Sequence, residues 1–494
     1  MRLLPTAPFG PVRVKADPYL VRTGTYVKVD RVDEEQFTKA LDGILGSTDP
    51  EFGKLISAVL RNRLDGLLGT VTAGTHRRDY SLVTVDGENI IRLDSMLWLY
   101  NFDGAGLTAD VRNAFAYGAA LSSVRIDEID HGLLRLMVSH MVNEIPGLTP
   151  EERKEKAKEL HARLVRDKDG RVEKRRRLAA LTRAVNDRLH SPVGISVGRD
   201  GFLHLASPDT GLIWRTAPGY EVTTVAGGGT DYRDGIPALE AKLERPFAVA
   251  PDRTTRGFVI ADFGGARGEP GHGGRVLRVS ADGIIRTIAD GTRLPGADRD
   301  HPIKPTHVAV DRGGTVHVVA LRVGTDPAEL RILRIPPSGP VSVIGQGDLE
   351  TRCSPTLRRS VFGVAAHEPG QALFSFSACG TVDRLPDGGT RLTTVAGGGD
   401  LTGDLVPALE ARLRYPCALD IDDDGSLYIA DGLYGPRPED FRVRKVTADG
   451  RITTVVRGRD AYGIAVDGPR KILYTLEFRD DCTAYCLKAY VLPG

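Results

Sequence analysis

From Ser191 onward, apolar and polar positions alternate in short runs separated by Asp-Gly and Gly-Gly turns, the period expected of half-buried strands. Six of these runs lie over one another: Pro192-Val-Gly-Ile-Ser, Pro246-Phe-Ala-Val-Ala, Pro305-Thr-His-Val-Ala, Val361-Phe-Gly-Val-Ala, Pro416-Cys-Ala-Leu-Asp and Ala461-Tyr-Gly-Ile-Ala. A second strand follows each, at 202–206, 258–262, 315–320, 373–377, 427–431 and 472–476. Third strands resemble Arg-Val-Leu-Arg-Val and fourth strands Thr-Thr-Val-Ala. A four-stranded unit cannot bury both faces alone, and six of them stacked radially can, so the pattern predicts a six-bladed β-propeller over 191–494. The last cycle has no evident fourth strand. A segment from before residue 191 is expected to complete it, with Tyr26–Val32 as one candidate.

One stretch repeats closely. Thr223–Ala250, TTVAGGGTDYRDGIPALEAKLERPFAVA, returns as Thr393–Asp420, TTVAGGGDLTGDLVPALEARLRYPCALD. Self-similarity at this length marks one structural unit used more than once. The copies lead into the second and fifth inner strands, which places them opposite each other, and PALEA reads as a helical turn between blades.

Before residue 191 the spacing is mostly helical. A strand is expected at Tyr26–Val32, and helices at 34–45 and behind Asp49-Pro50, where Phe52, Leu55, Ile56, Val59, Leu60, Leu64, Leu67 and Leu68 share one face. Leu82–Val85 and Ile90–Leu93 flank Asp86-Gly87 as a short hairpin. Thr108 is expected to cap a helix to Leu121, and Ile126 to Met141 mark another. Thr149-Pro150-Glu151-Glu152 is a capping box with proline in the first turn. Its helix is strongly charged, with an interruption expected at Asp169-Gly170. The fold class is therefore multidomain α+β: a mainly helical domain with a small β element over 1–148, a charged helical linker over 149–190, and the all-β propeller.

Composition narrows the function. Sixty-six Lys and Arg against 65 Asp and Glu give a net charge of +1, which exerts no global pull on nucleic acid or anionic membrane. Lys174-Arg175-Arg176-Arg177 interleaves with acids and lacks aromatic neighbours, so it reads as a solvated helix face rather than a nucleic-acid contact. No run of 18 apolar residues suggests a membrane span, and the N-terminus lacks the apolar core of a signal peptide, so cytoplasmic location is the expectation. Five cysteines, an odd count, make a disulfide framework unexpected. Cys482-Thr-Ala-Tyr-Cys486 lacks the second ligand pair of a zinc site.

Leu427-Tyr-Ile-Ala-Asp431, Arg442-Val-Arg-Lys-Val446, Asp449-Gly-Arg-Ile-Thr-Thr-Val455 and Arg414-Tyr-Pro416 resemble the NHL-repeat family of β-propellers, and TTVAGGG…PALEA resembles the bacterial form of the repeat. The resemblance covers 191–494 and is weaker in the blades starting at Pro305 and Val361. It implies a platform for protein, RNA or ligand binding, with a minority of similar propellers acting as metal-dependent lyases, lactonases or strictosidine-synthase-like enzymes. It also implies that Asp262 and Asp431 are structural.

Chemistry is sought where the repeat breaks. Gly194, Ala248, His307, Gly363, Ala418 and Gly463 form one aligned slot of the inner strands. Ser196, Ala250, Ala309, Ala365, Asp420 and Ala465 form the next slot of equal parity. Small residues fill all but two, so His307 and Asp420 are the candidate acid/base pair or metal ligands; no third ligand is identifiable. Just before the first slot, Phe247, Thr306, Phe362, Cys417 and Tyr462 form a candidate ligand-binding rim, with interblade packing as the alternative. No cofactor is required by these motifs, though a divalent metal would fit the channel. Gly264–Gly274 is glycine-rich but joins two strands, without the helix a phosphate cradle needs.

The expected function is a non-enzymatic binding protein whose propeller takes a protein, peptide or small ligand. The alternatives are a propeller hydrolase or lyase using His307 and Asp420, and an N-terminal effector domain controlled by the propeller.

Overall fold

In the computed structural model, residues 16–27, 74–86, 89–101, 113–124, 129–143, 147–189, 192–265, 273–325, 328–345, 361–432, 441–457, 461–478 and 485–492 are described. They divide into two compact units, Met1–Lys174 with Pro493–Gly494, and Arg175–Leu492.

In the first unit, β1 (Ala16–Val27), β2 (Gly74–Asp86), β3 (Asn89–Asn101) and β4 (Asn113–Val124) form an antiparallel sheet in the order β1-β4-β3-β2. The expected hairpin is the turn-side end of the longer pair β2–β3, with Leu82 opposite Leu93 and Val85 opposite Ile90. The helix expected from Thr108 to Leu121 is instead largely strand. The alanine-rich β4 favours helix intrinsically, but it pairs with β1 on one edge and β3 on the other, and that context prevails. The helices expected at 34–45 and behind Pro50 lie outside the described residues, and the described part of 1–148 is one sheet and one helix, α1 (His131–Asn143).

The helix α2 (Pro150–Arg188) opens as expected: Thr149 N donates to Glu152 Oε2 at 2.8 Å and Glu152 N to Thr149 Oγ1 at 3.3 Å. No break occurs at Asp169-Gly170. A mid-helix glycine costs about 1 kcal/mol, and apolar contacts on either side outweigh it: Leu164 packs with Leu134, Met137, Val138 and Val142 of α1, and Leu178, Leu181 and Val185 enter a propeller cluster.

The second unit holds six antiparallel sheets. The first is β5 (Gly194–Val197), β6 (Leu203–Ser207), β7 (Leu212–Thr216) and β8 (Thr223–Gly227). A stub, β9 (Ile236–Pro237), precedes the second sheet, β10 (Pro246–Asp252), β11 (Gly257–Asp262), β12 (Arg275–Val279) and β13 (Ile284–Asp290). The third is β14 (Ile303–Val310), β15 (Val316–Arg322), β16 (Glu329–Ile335) and β17 (Ser342–Gly345). The fourth is β18 (Val361–Ala366), β19 (Ala372–Phe376), β20 (Thr381–Leu385) and β21 (Thr393–Gly397). After the stub β22 (Val406–Pro407), the fifth is β23 (Pro416–Ile421), β24 (Leu427–Asp431), β25 (Arg442–Val446) and β26 (Arg451–Arg457). The sixth is β27 (Ala461–Asp467), β28 (Ile472–Phe478) and β29 (Tyr485–Val491). The first strands touch in the sequence β5, β10, β14, β18, β23, β27 and back to β5, so the six-bladed ring closes.

The repeated stretch stitches one blade to the next. After β8, the stub β9 pairs with β13 of the following blade, and β22 pairs likewise with β26. Asp234 Oδ1 accepts from Thr287 N and Oγ1, both at 2.8 Å, and Asp404 repeats this at Thr454 N and Oγ1, at 2.8 and 2.7 Å. Ala408–Glu410 is a 3-10 turn, as the PALEA reading anticipates. The third glycine is compelled by space, since a Cβ on Gly229 would lie 1.8 Å from Glu240 O and one on Gly399 2.2 Å from Glu410 O.

Among the described residues the sixth blade has three strands. Tyr26–Val32 does not complete it: Tyr26 and Val27 end β1 and pair with β4, and 28–32 lie outside the described residues. A segment before residue 191 does cover the open edge, but as helix. Leu178, Leu181, Val185 and Leu189 pack with Leu203, Trp214, Tyr474 and Leu487, while the Asn186 side chain bonds the β29 main chain. The helix shields the edge from pairing with another strand, and the Asn186 side chain satisfies one N–H and one C=O of it.

Two cysteines depart from expectation. Cys379 and Cys486 are disulfide-bonded, with partners outside the described residues. The odd count leaves one thiol over rather than excluding bridges, and Cys417, buried and not disulfide-bonded, is such a thiol.

Candidate functional site

The small residues of the first inner-strand slot answer to neighbouring backbone. A Cβ on Gly194 would lie 2.5 Å from Phe247 O, and one on Gly363 2.1 Å from Cys417 O. Inner strands of adjacent blades therefore run almost in main-chain contact. His307 in β14 and Asp420 in β23 are larger groups placed into this tight ring.

His307 Nδ1 lies 3.1 Å from Thr306 Oγ1, and that hydroxyl donates its proton to Val319 O at 3.0 Å. With the threonine proton committed to a carbonyl, Nδ1 must be the protonated nitrogen and donate to Oγ1, leaving the lone pair on Nε2. Nε2 has no hydrogen-bond partner among the described residues and is not sealed from solvent. The ring keeps some accessible surface yet is surrounded by protein, and this burial pushes its pKa down to about 4. It is a neutral imidazole at neutral pH.

Asp420 is tied to backbone. Oδ1 accepts from Ile421 N at 2.9 Å and Oδ2 from Val466 N at 2.7 Å, joining β23 to β27. Burial pushes its carboxyl up to about 6, against the pull of those two N–H groups and the Arg253 charge. No described hydrogen bond or ion pair joins His307 to Asp420, and neither contributes to the other's shift.

The rim residues are placed individually. The Phe247 ring lies 5.2 Å from that of Phe263, over which Arg245 sits at 4.7 Å and Lys304 at 5.0 Å. Thr306 serves His307. Cys417 is buried, its Sγ within 3.4 Å of Ala430 O and 3.3 Å of Ala461 O. Tyr462 stacks on Tyr485 at 4.8 Å and packs in the same cluster as Cys417. The Phe362 side chain lies outside the described ones.

Asp262 and Asp431 hold turns. Asp262 Oδ1 accepts from Arg245 N at 2.8 Å, and Asp431 Oδ1 from Arg414 N at 2.7 Å and Tyr415 N at 3.1 Å. Arg275 and Arg442 complete their pairing at 3.5 and 3.2 Å.

A polar cluster that the sequence analysis did not single out lies where the inner strands end. Arg253 Nη1 binds Asp423 Oδ1 at 2.7 Å, Arg199 Nε approaches the same oxygen at 3.6 Å, and Arg312 Nη2 donates to Asp423 O at 3.0 Å. The arginines follow the inner strands of blades one to three and Asp423 that of blade five, so they reach across the ring. Extending the six-run alignment three residues past the second slot gives Arg199, Arg253, Arg312, Glu368, Asp423 and Gly468. Their spacing of more than fifty residues hides them from any local motif.

Among the described residues, no three His, Cys, Asp or Glu side chains gather closely enough to hold a metal ion, and no helix is long and apolar enough to cross a membrane.

No family model and no curated protein matches the sequence. Solved structures do. A gluconolactonase from Xanthomonas campestris is 16% identical with a TM-score of 0.40, covering 62% of this chain and 87% of its own. Virginiamycin B lyase from Staphylococcus aureus is 14% identical with a TM-score of 0.35, covering 62% and 85%. The PQQ-bound aldose sugar dehydrogenase from Streptomyces coelicolor is 14% identical with a TM-score of 0.38, covering 61% and 94%. Against the non-enzymatic binding platform expected from sequence, all three of these matches are to proteins named as enzymes. At such identities the likeness extends to the fold, and no activity is carried over from it.

Proposed function

We propose that the propeller, built of NHL-type repeats, is a hydrolase or lyase that uses His307 and Asp420 for proton transfer. The supporting observation is the imidazole whose Nδ1–H is held by Thr306 and whose Nε2 lone pair has no described partner. A fixed tautomer with a free nitrogen is the arrangement of a general base.

The displaced pKa values divide the roles. Between about 4 and about 6 the imidazole is neutral and the carboxyl protonated, so His307 takes a proton and Asp420 gives one. Asp420 lies two blades round the ring and one slot farther along the strand, about 6–7 Å of rise, leaving room for a substrate between them. Phe247 and Thr306 would flank the substrate on the His307 side.

The test is a screen of the full chain against lactone and ester substrates and against lyase substrates with an acidic C–H. His307→Ala should lose at least a hundredfold in kcat/KM while its unfolding midpoint stays near that of the parent. The rate should peak near pH 5, rising as His307 loses its proton and falling as Asp420 does. An active parent matched by an equally active His307→Ala variant overturns the reading.

A further inference from the structure

The cluster at the ends of the inner strands carries more cationic donors than its contacts use. Arg199 is 60% exposed, and its one described contact is the 3.6 Å approach to Asp423, without a hydrogen bond. Arg312 commits a single N–H, to the Asp423 carbonyl. Arg253, 25% exposed, has the one close bond to the carboxylate among the described residues; the carboxylate is itself 29% exposed and receives it on Oδ1. A guanidinium carries five N–H donors in a planar fork suited to two oxygens at once. Two guanidiniums here share the Asp423 carboxylate, and the third has the Asp423 carbonyl. Of the other ionisable groups in the same turns, His367 is held below its usual range by burial and by Arg312, Glu368 is exposed and lies 3.6 Å from His367, and Asp424 is exposed. Asp252, Asp311, Asp422 and Asp467 are buried and bind their own turns, with Asp252 also paired to Arg278 and Asp311 also accepting from Gly370 N.

We propose that Arg199, Arg253 and Arg312 form a binding site for a doubly charged oxyanion, phosphoryl or dicarboxylate, and that Asp423 is an internal anion occupying part of it. His307 lies within β14, whereas Arg312 lies in the turn beyond the end of that strand at Val310. The site's arginines come from three consecutive blades and Asp423 from the fifth, so the ring brings them together. An incoming dianion brings two charges and several acceptors where Asp423 offers one charge, and charge-assisted bonds to guanidinium are the stronger kind.

Calorimetric titration of inorganic phosphate into the full chain, at constant ionic strength in chloride, tests this. One saturable site per chain is expected. Arg199→Gln and Arg312→Gln should each weaken binding at least fivefold. Neither side chain anchors strands of the sheets, and unfolding midpoints in chloride will report that the variants fold. Asp423→Asn, which removes the internal competitor, should tighten binding about tenfold, a change that a purely structural ion pair would not produce. Malonate titrated in parallel distinguishes the ligand types, a tighter fit for phosphate assigning a phosphoryl group and the reverse a dicarboxylate. Absence of saturable heat with both anions, or affinities unchanged in both arginine variants, overturns the proposal.

Discussion

The Asn186 carboxamide and the Leu487 main chain exchange two hydrogen bonds: Leu487 N donates to Asn186 Oδ1 at 2.8 Å, and Asn186 Nδ2 donates to Leu487 O at 3.1 Å. A side-chain amide has one donor side and one acceptor side, as a peptide does, so α2 presents to β29 what a fourth strand would have presented.

Asn186→Ala should therefore destabilise the second unit by about 1–3 kcal/mol, the range for leaving buried backbone partners unmade. Amide exchange at Leu487 should accelerate, while exchange in the third blade changes little. Asn186→Asp, which keeps the acceptor and loses the donor, should retain the protection of the Leu487 amide.

The two displaced groups in the ring bias stability in opposite directions with pH. His307 titrates near 4 when folded against a usual 6.5, so the unfolded chain binds more protons and stability rises with pH across about 4–6.5. Asp420 titrates near 6 against a usual 3.8, so the folded chain binds more and stability falls as pH rises from about 4 to 6. Relative to the parent, His307→Gln should show stability falling with pH in that window, and Asp420→Asn a steeper rise. Urea unfolding at pH 4, 5, 6 and 7 measures both.

Asp431→Ala should cost about 3–5 kcal/mol, because Arg442 is left nearly buried without its carboxylate and two backbone N–H groups lose their acceptor. Asp431→Asn should recover part of this, since it restores an acceptor for Arg414 N. Thermal unfolding of the two variants provides the comparison.

The thiol count gives a simple check. Denatured without reductant, the chain should react with about one equivalent of a thiol reagent, because Cys379 and Cys486 are bridged and Cys417 is not disulfide-bonded. Reduction should lower stability by about 2–4 kcal/mol per bridge.

The propeller was legible because its code is repetitive. An alternation that is ambiguous in one run becomes decisive when six runs align, and the observed inner strands cover five of those runs and the last three residues of the first. Stubs β9 and β22 were not legible, since two residues have no periodicity. The helical expectation for 108–121 gives way over 113–121, because a local cap at Thr108 says nothing of the two strands that flank β4. Of the site, His307 and Asp420 stood out as large groups in slots of small ones, but their partners, Thr306 and the backbone of Val466, belong to geometry. Arg199, Arg253, Arg312 and Asp423 were invisible for a related reason, as charge after a strand is ordinary until four blades direct it to one point.

The two stitched stretches, Thr223–Ala250 and Thr393–Asp420, stand three blades apart, so the ring is two half-rings related by an approximate half-turn. Under that half-turn Asp234 maps onto Asp404 and Asp262 onto Asp431, and the scaffold is preserved. The rim is not: Arg199 maps onto Glu368, Arg253 onto Asp423 and Arg312 onto Gly468. Cationic groups thus occupy one half-ring at positions where the other carries acidic or neutral ones. The molecule has a symmetric frame with a polarised mouth, and a ligand arriving at that end meets a preferred orientation before it makes any specific contact.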